Sequence, residues 1–262
     1  MKSRRMLLAG IVAAMSLAAI GVVSGLGARE PGLHGNGVVG AKAQMAGPNA
    51  EGIVITVDHN VGKDATREFK FAHVPSPGGD DAAMRATLTL VAGEVDENSG
   101  GLSRLTDGRV PTEEDEPEAN FFFDAGTWGG RFRMDLGSAI EIAAVNSYSW
   151  HPNTRGPQVY VLYASDGADP NFDPAPKTKV DPTTVGWRRV ASVDTRPKQG
   201  NGTLAPASAL VDQFGGQYGV SITHASGSIG KFRYLLFDCF ETEADDDWGN
   251  TFYSEIGVVA KK

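Results

Sequence analysis

The 262 residues include a single cysteine, Cys239. No internal disulfide can brace such a chain, so its stability must come from an apolar core, with or without a bound ion. Positive charge is in the minority. Lys and Arg number 24 against 32 Asp and Glu, giving a net charge of −8 and a pI near 5.1, which argues against a nucleic-acid partner, because binding a phosphate backbone needs a basic surface. Long apolar runs are missing beyond about Gly27, which excludes a multi-span membrane protein. Helical periodicity is missing too. The best candidate after the first thirty residues, Pro206 to Phe214, is only about two turns long.

The usual catalytic signatures are also lacking. The histidines (His34, His59, His73, His151, His224) show no H-E-x-x-H or other metal-ligand spacing. There is no complete G-x-S-x-G, and Gly230-Lys231 has neither the upstream glycine nor the Ser/Thr of a phosphate loop. Cys239 lies in an apolar run, where a thiol behaves as a small hydrophobe rather than a nucleophile. Acidic residues cluster at Glu113, Glu114, Asp115, Glu116 and Glu118 and again at Asp245, Asp246 and Asp247. A hydrolase would need two of them about 5 to 9.5 Å apart in a cleft, whereas charge runs of this kind are ordinarily solvated loops. The expectation is a protein that is not an enzyme.

What is present begins with an export segment. Lys2, Arg4 and Arg5 precede an apolar run from Met6 to about Gly27 and a small-residue exit ending at Ala28, the pattern of a signal peptide over 1–28. Ser3-Arg-Arg-Met-Leu-Leu8 also approaches a twin-arginine signal, Ala41-Lys42-Ala43 offers a second cleavage site, and an uncleaved run would serve as an anchor. In each case the remainder works outside the cytoplasm, at the cell surface, in a periplasm or extracellularly. Cleavage after Ala28 removes three positive charges and takes the net charge from −8 to −11. Residues 29–65 are rich in Gly, Ala and Asn and read as a linker or N-terminal extension, with Ile53 to Val57 either a stray edge or the start of a sheet.

From Thr66 onward the dominant period is two. Arg131-Phe-Arg-Met-Asp-Leu136 alternates strictly, placing Phe132, Met134 and Leu136 on one face of a half-buried strand. Similar runs occupy 86–91, 140–148, 159–163, 187–193, 219–223, 231–241 and 252–259. Those at 159–163 and 234–240 are apolar on both faces and are expected at the centre of a sheet. About eight strands punctuated by Gly, Pro and Asp predict an all-β jelly-roll sandwich over 66–262, with function in the long connections.

Four segments in order, Leu105-Thr-Asp-Gly-Arg-Val-Pro-Thr112, Gly130-Arg-Phe-Arg-Met-Asp-Leu-Gly137, Gln158 to Gly167 followed by Trp187, and Asn250-Thr-Phe-Tyr-Ser-Glu-Ile-Gly-Val258, resemble the discoidin or coagulation-factor C-type domain. This is a galactose-binding-like fold, and the likeness is strongest to the family 32 carbohydrate-binding modules. The chain departs from the family in its insertions at 113–129 and 168–186 and in the long connection at 195–217. The resemblance implies a structural calcium held by Asp107, Thr112 and Glu255, an arrangement that agrees with calcium's need for six to eight hard oxygens. The alternative is that Asp107-Gly108 is only a turn and Glu255 an exposed strand residue. Asp169-x-Asn171-x-Asp173 looks like part of a second calcium loop but lacks its glycine and bidentate glutamate.

Sugar recognition needs an aromatic face and planar or charged donors. Trp150, His151, Asn153 and Arg155 offer these between two strands, where the family places binding residues, and Trp248, Asn250 and Phe252 offer them in the last loop. The alternatives are that Trp150 caps the core, that Arg155 pairs with an acidic neighbour, and that Phe252 points inward. The function so implied is an exported, non-catalytic module that binds a glycan or glycoconjugate. The net charge favours a neutral or cationic saccharide unless Arg155, Arg131 and Arg133 form a local positive patch. The competing reading is an extracellular or cell-surface protein that uses the same sandwich to bind another protein. A membrane partner would need exposed apolar tips, for which only Phe172, Trp248 and Phe214 qualify, and this reading is disfavoured.

Overall fold

In the computed structural model the described residues are Met45, 47–78, 81–152, 154–198, 215–242 and 250–262, all within one compact unit. The expected signal peptide, the 41–43 cleavage site and the 206–214 helix candidate lie outside them. Among the described residues the fold has eight strands: β1 (Ile53–Asn60), β2 (Thr87–Ala92), β3 (Gly129–Trp150), β4 (Val159–Ser165), β5 (Arg188–Asp194), β6 (Gln217–His224), β7 (Gly230–Phe240) and β8 (Tyr253–Ala260). Every pairing is antiparallel. The chain is therefore all-β, as its period-two runs predict.

The two runs expected at 131–136 and 140–148 form one strand, β3, 22 residues long. Its register against β7 shifts between Asp135 and Ile140, and Gly137 sits between them at φ 80°, a conformation that other residues adopt only with strain. This corner lets β3 serve two layers. Its first half lies in β2-β3-β7-β4-β5 and its second half in β8-β3-β6-β1. The sheet thus folds on itself as a jelly-roll sandwich, and Ala50 N–H donates to Val190 O (2.9 Å) where the two layers approach along β5. Of the two readings of Ile53 to Val57, the strand proves to be the edge of the sheet, paired to β6 along its whole length.

Alternation fills the space between the layers. Phe132 and Met134 are buried on the inner face of β3, and Phe132 stacks on Phe237 with centroids 4.8 Å apart. Burying one such ring contributes about 1.5–3 kcal/mol. β4 and β7 occupy interior positions in the sheet, and β4 is buried on both faces. Cys239, on β7, is buried, and burial pushes its thiol well above the ordinary range, as expected for an inert core thiol.

The outer face of the first layer is covered by the 166–187 connection. Arg131, fully buried, donates Nε and Nη2 to the two carboxylate oxygens of Asp238 (2.8 Å each) and Nη1 to the carbonyls of Pro176, Lys177 and Val180. Arg133 donates to Pro174 O and Thr89 Oγ1. Arg131, buried and paired, is not available to the positive patch with Arg155 and Arg133 that the sequence leaves open. Phe172 is not an exposed tip but packs against Trp187 and Tyr234, and Phe214 and Trp248 lie outside the described residues. Asp169 and Asp173 each accept at Oδ1 the backbone N–H two residues on, closing a turn.

Candidate functional site

One end of the sandwich gathers the connections that carry the candidate residues. The segments after β3, before β6 and between β7 and β8 are laced together there: Thr242 Oγ1 donates to Thr154 O, Phe252 N–H to Arg155 O (2.9 Å) and His151 N–H to Gly216 O (3.2 Å). Glycine makes the approach possible. A Cβ on Gly216, at φ 93°, would stand 1.9 Å from the His151 carbonyl oxygen, and one on Gly156 would stand 2.6 Å from the same atom.

His151 and Arg155 converge on a buried aromatic pair. Phe122 and Phe252 stack with centroids 3.9 Å apart and planes 15° from parallel. The Arg155 guanidinium lies over Phe252 at 4.6 Å and over Phe122 at 5.6 Å, and His151, 6% exposed, meets Phe252 edge-on at 4.6 Å. His151 Nε2 is 3.7 Å from a carboxylate oxygen of Asp115, whose side chain is 66% exposed. With ring centres 4.6 and 5.6 Å from its Cζ, the Arg155 guanidinium lies against the side of the stacked pair, a cation–aromatic contact that holds the side chain at this end of the sandwich.

Other expected ligand residues take supporting parts. Phe252 is fully buried and points inward, so it is the floor under Arg155 and not a face for a sugar. Asn250 is buried, and its Nδ2 donates to Asp124 O (2.8 Å) and is shared with Thr127, which ties the last loop to the one before β3. Trp150 is half-buried and donates Nε1 to Gly215 O (3.1 Å). Asn153 and Trp248 lie outside the described residues. The sequence reading missed Phe122 and Asp115 as site residues. The Phe121-Phe122-Phe123 run was a signal: Phe121 and Phe123 bridge to Tyr253 and Val95, which turns Phe122 toward Phe252.

The residues implied for calcium are only partly together. Glu255, 1% exposed, accepts Gly108 N–H at Oε2 (3.2 Å), while its Oε1 is buried with no hydrogen-bond partner among the described residues. Burial pushes its carboxyl up to about 9, reinforced by the charges of Asp107 and Asp81 and opposed by the Gly108 N–H. Asp107 stands near, its oxygens accepting from Arg104 Nη1 (3.1 Å) and Arg109 N–H (2.9 Å). Thr112 is exposed, with its N–H and hydroxyl on Glu116. Among the described residues no three acidic, histidine or cysteine side chains form a group able to hold a metal. The buried unmatched oxygen of Glu255 fits a cation; Thr112 in this position does not.

No protein-family model and no curated relative matches the chain. Solved structures of similar shape include the lectin domain of Lectinolysin complexed with Lewis B antigen, 11% identical with a TM-score of 0.41 over 71% of this chain and 99% of that one. Another is chitosan-binding module 1 of a chitosanase/glucanase from Paenibacillus sp. IK-5, 15% identical with a TM-score of 0.40 over 69% and 98%. SpGH29 is 12% identical with a TM-score of 0.40 over 70% of this chain, which spans only 28% of that longer protein. At these values the likeness is one of shape alone.

Proposed function

We propose that the chain is a non-catalytic module that binds a glycan at the loop end of its sandwich and works outside the cytoplasm after export by its N-terminal segment. The observation that carries this reading is the convergence of His151 and Arg155, from one short connection, on the Phe122–Phe252 stack. It joins planar charged donors to a rigid support, the chemistry that hydroxyl-rich ligands require. The exposed Asp115 beside His151 favours a neutral or cationic saccharide over a uronic-acid or sulfated one. A structural calcium beside Glu255 belongs to the same reading, supported by that residue's buried, unmatched Oε1. Binding of the exported chain to a broad glycan panel in calcium tests the proposal. The expected result is binding to a neutral or amino-sugar glycan that His151→Ala weakens about tenfold, the loss of one hydrogen bond. A folded chain that binds no glycan overturns it.

A further inference from the structure

The outer face of β3 and β8 carries polar groups that the binding end does not use. Building on the proposed structural cation, we propose that its ligands in this chain are Glu255, Asp81 and Asn146, on the face of β3 and β8 that the bare Cα of Gly257 leaves open, in place of the Asp107 and Thr112 that the family resemblance implies.

The strand register brings these groups together. Tyr148 lies opposite Glu255 and Asn146 opposite Gly257, so the four residues share one face of the pleat. On that face two buried acceptors, Glu255 Oε1 and Asn146 Oδ1, have no partner among the described residues. Buried acceptors are almost always matched, and two of them two positions apart mark a place for a donor or a cation. Asp81 supplies the second negative charge. Its Oδ1 accepts Ala83 N–H (2.8 Å), and its Oδ2 lies 2.7 Å from the point a Cβ on Gly257 would occupy, with Asn146 Nδ2 3.7 Å from that point. The missing side chain of Gly257 therefore leaves room between Asp81 and Asn146; Asn146 turns Nδ2 to that space, and a half-turn of the amide, which also removes the unmatched Oδ1 from its buried position, brings the oxygen there.

Of the residues named by the resemblance, Asp107 stands near Glu255 with its oxygens already bonded, and Thr112 is turned away. Both oxygens of Asp107 have donors in Arg104 and Arg109, and Thr112 is turned onto Glu116. Two carboxylates and an amide oxygen are hard donors that suit calcium and balance its charge, with carbonyls or water completing the shell. A set with only two carboxylates also accords with the lack of any triple acidic group among the described residues. Such an ion ties the lead-in to β2 onto the last strand, beside the Ala82 N–H to Val258 O bond (2.9 Å).

Calorimetric titration of the full chain with calcium chloride, with melting in chelator and in calcium, tests this. Calcium should bind the parent chain and raise its melting temperature. Asp81→Asn should weaken calcium affinity by about tenfold or more, while Thr112→Val stays within about twofold. Gly257→Ala removes no ligand but fills the space, and it should also lose the calcium response. If Thr112→Val loses calcium while Asp81→Asn and Gly257→Ala keep it, calcium stands and this ligand set is overturned. If calcium has no effect on the parent chain, both the cation and its ligands fall.

Discussion

Two arginines separate the structural chemistry of this molecule from its proposed recognition chemistry. Arg131 is fully buried, its guanidinium held by both oxygens of Asp238 and by three carbonyls of the 176–180 segment. Arg155 is half-buried at the loop end, its guanidinium 4.6 and 5.6 Å from the ring centres of Phe252 and Phe122, beside His151. Sequence alone leaves open that they belong, with Arg133, to one positive patch. The fold shows that one pins a loop to the sheet and the other is presented by a loop. The difference lies in position: Arg131 alternates with Phe132 in a strand whose second face is covered, whereas Arg155 sits in a connection whose glycines let neighbouring loops close on it.

The sharpest way to break this contrast is to remove the buried charge. Arg131→Met leaves Asp238 buried without its counter-ion and should destabilise the fold by about 3–5 kcal/mol in chemical denaturation. The Arg131→Met/Asp238→Leu double variant, which removes both charges, should recover most of the loss. A single variant as stable as the parent would show that the pair does not pin the 166–187 connection.

An intermediate effect is expected where the 66–75 segment crosses β1 and β6. Asp58 accepts the N–H groups of His73 and Val74 and pairs with His73 Nδ1. Burial opposes ionisation, but these bonds outweigh it and hold the Asp58 carboxyl down at about 2. A carboxyl with a depressed folded-state pKa adds stability that is present above the ordinary carboxylate range and is lost as pH falls toward 2. Denaturation followed from about pH 5 down to pH 2 should show this slope, flattened in Asp58→Asn, and equal slopes in the two proteins would remove Asp58 as the fastener. The smallest effect belongs to Arg155→Ala, which should cost no more than about 1 kcal/mol, the scale of a cation–π contact near the surface.

Much of the sandwich is legible in the sequence because alternation is a local signal. Phe132 and Met134 between polar neighbours predict a half-buried strand, and the apolar runs of β4 and β7 predict their interior places. The corner at Gly137 is less legible, since two alternating runs read alike whether they make one bent strand or two. The site is the least legible part. Residue type and a family motif point to Trp150, His151 and Arg155, but the inward turn of Phe252 depends on its partner Phe122, some 130 residues away. The closeness of Gly216 to His151 and the turning of Thr112 onto Glu116 rather than toward Glu255 are likewise tertiary facts that no local pattern encodes.

The account rests most directly on Arg155 as a recognition residue rather than a structural one. The decisive measurement is the affinity of Arg155→Ala for the glycan that the parent chain binds, with melting temperatures recorded in parallel. The account predicts binding weakened by about a hundredfold or more, a loss of two charge-assisted hydrogen bonds, with a melting temperature lowered by only about 2–4 °C. Undiminished binding, or a loss of binding accompanied by a collapse of the fold, would contradict it.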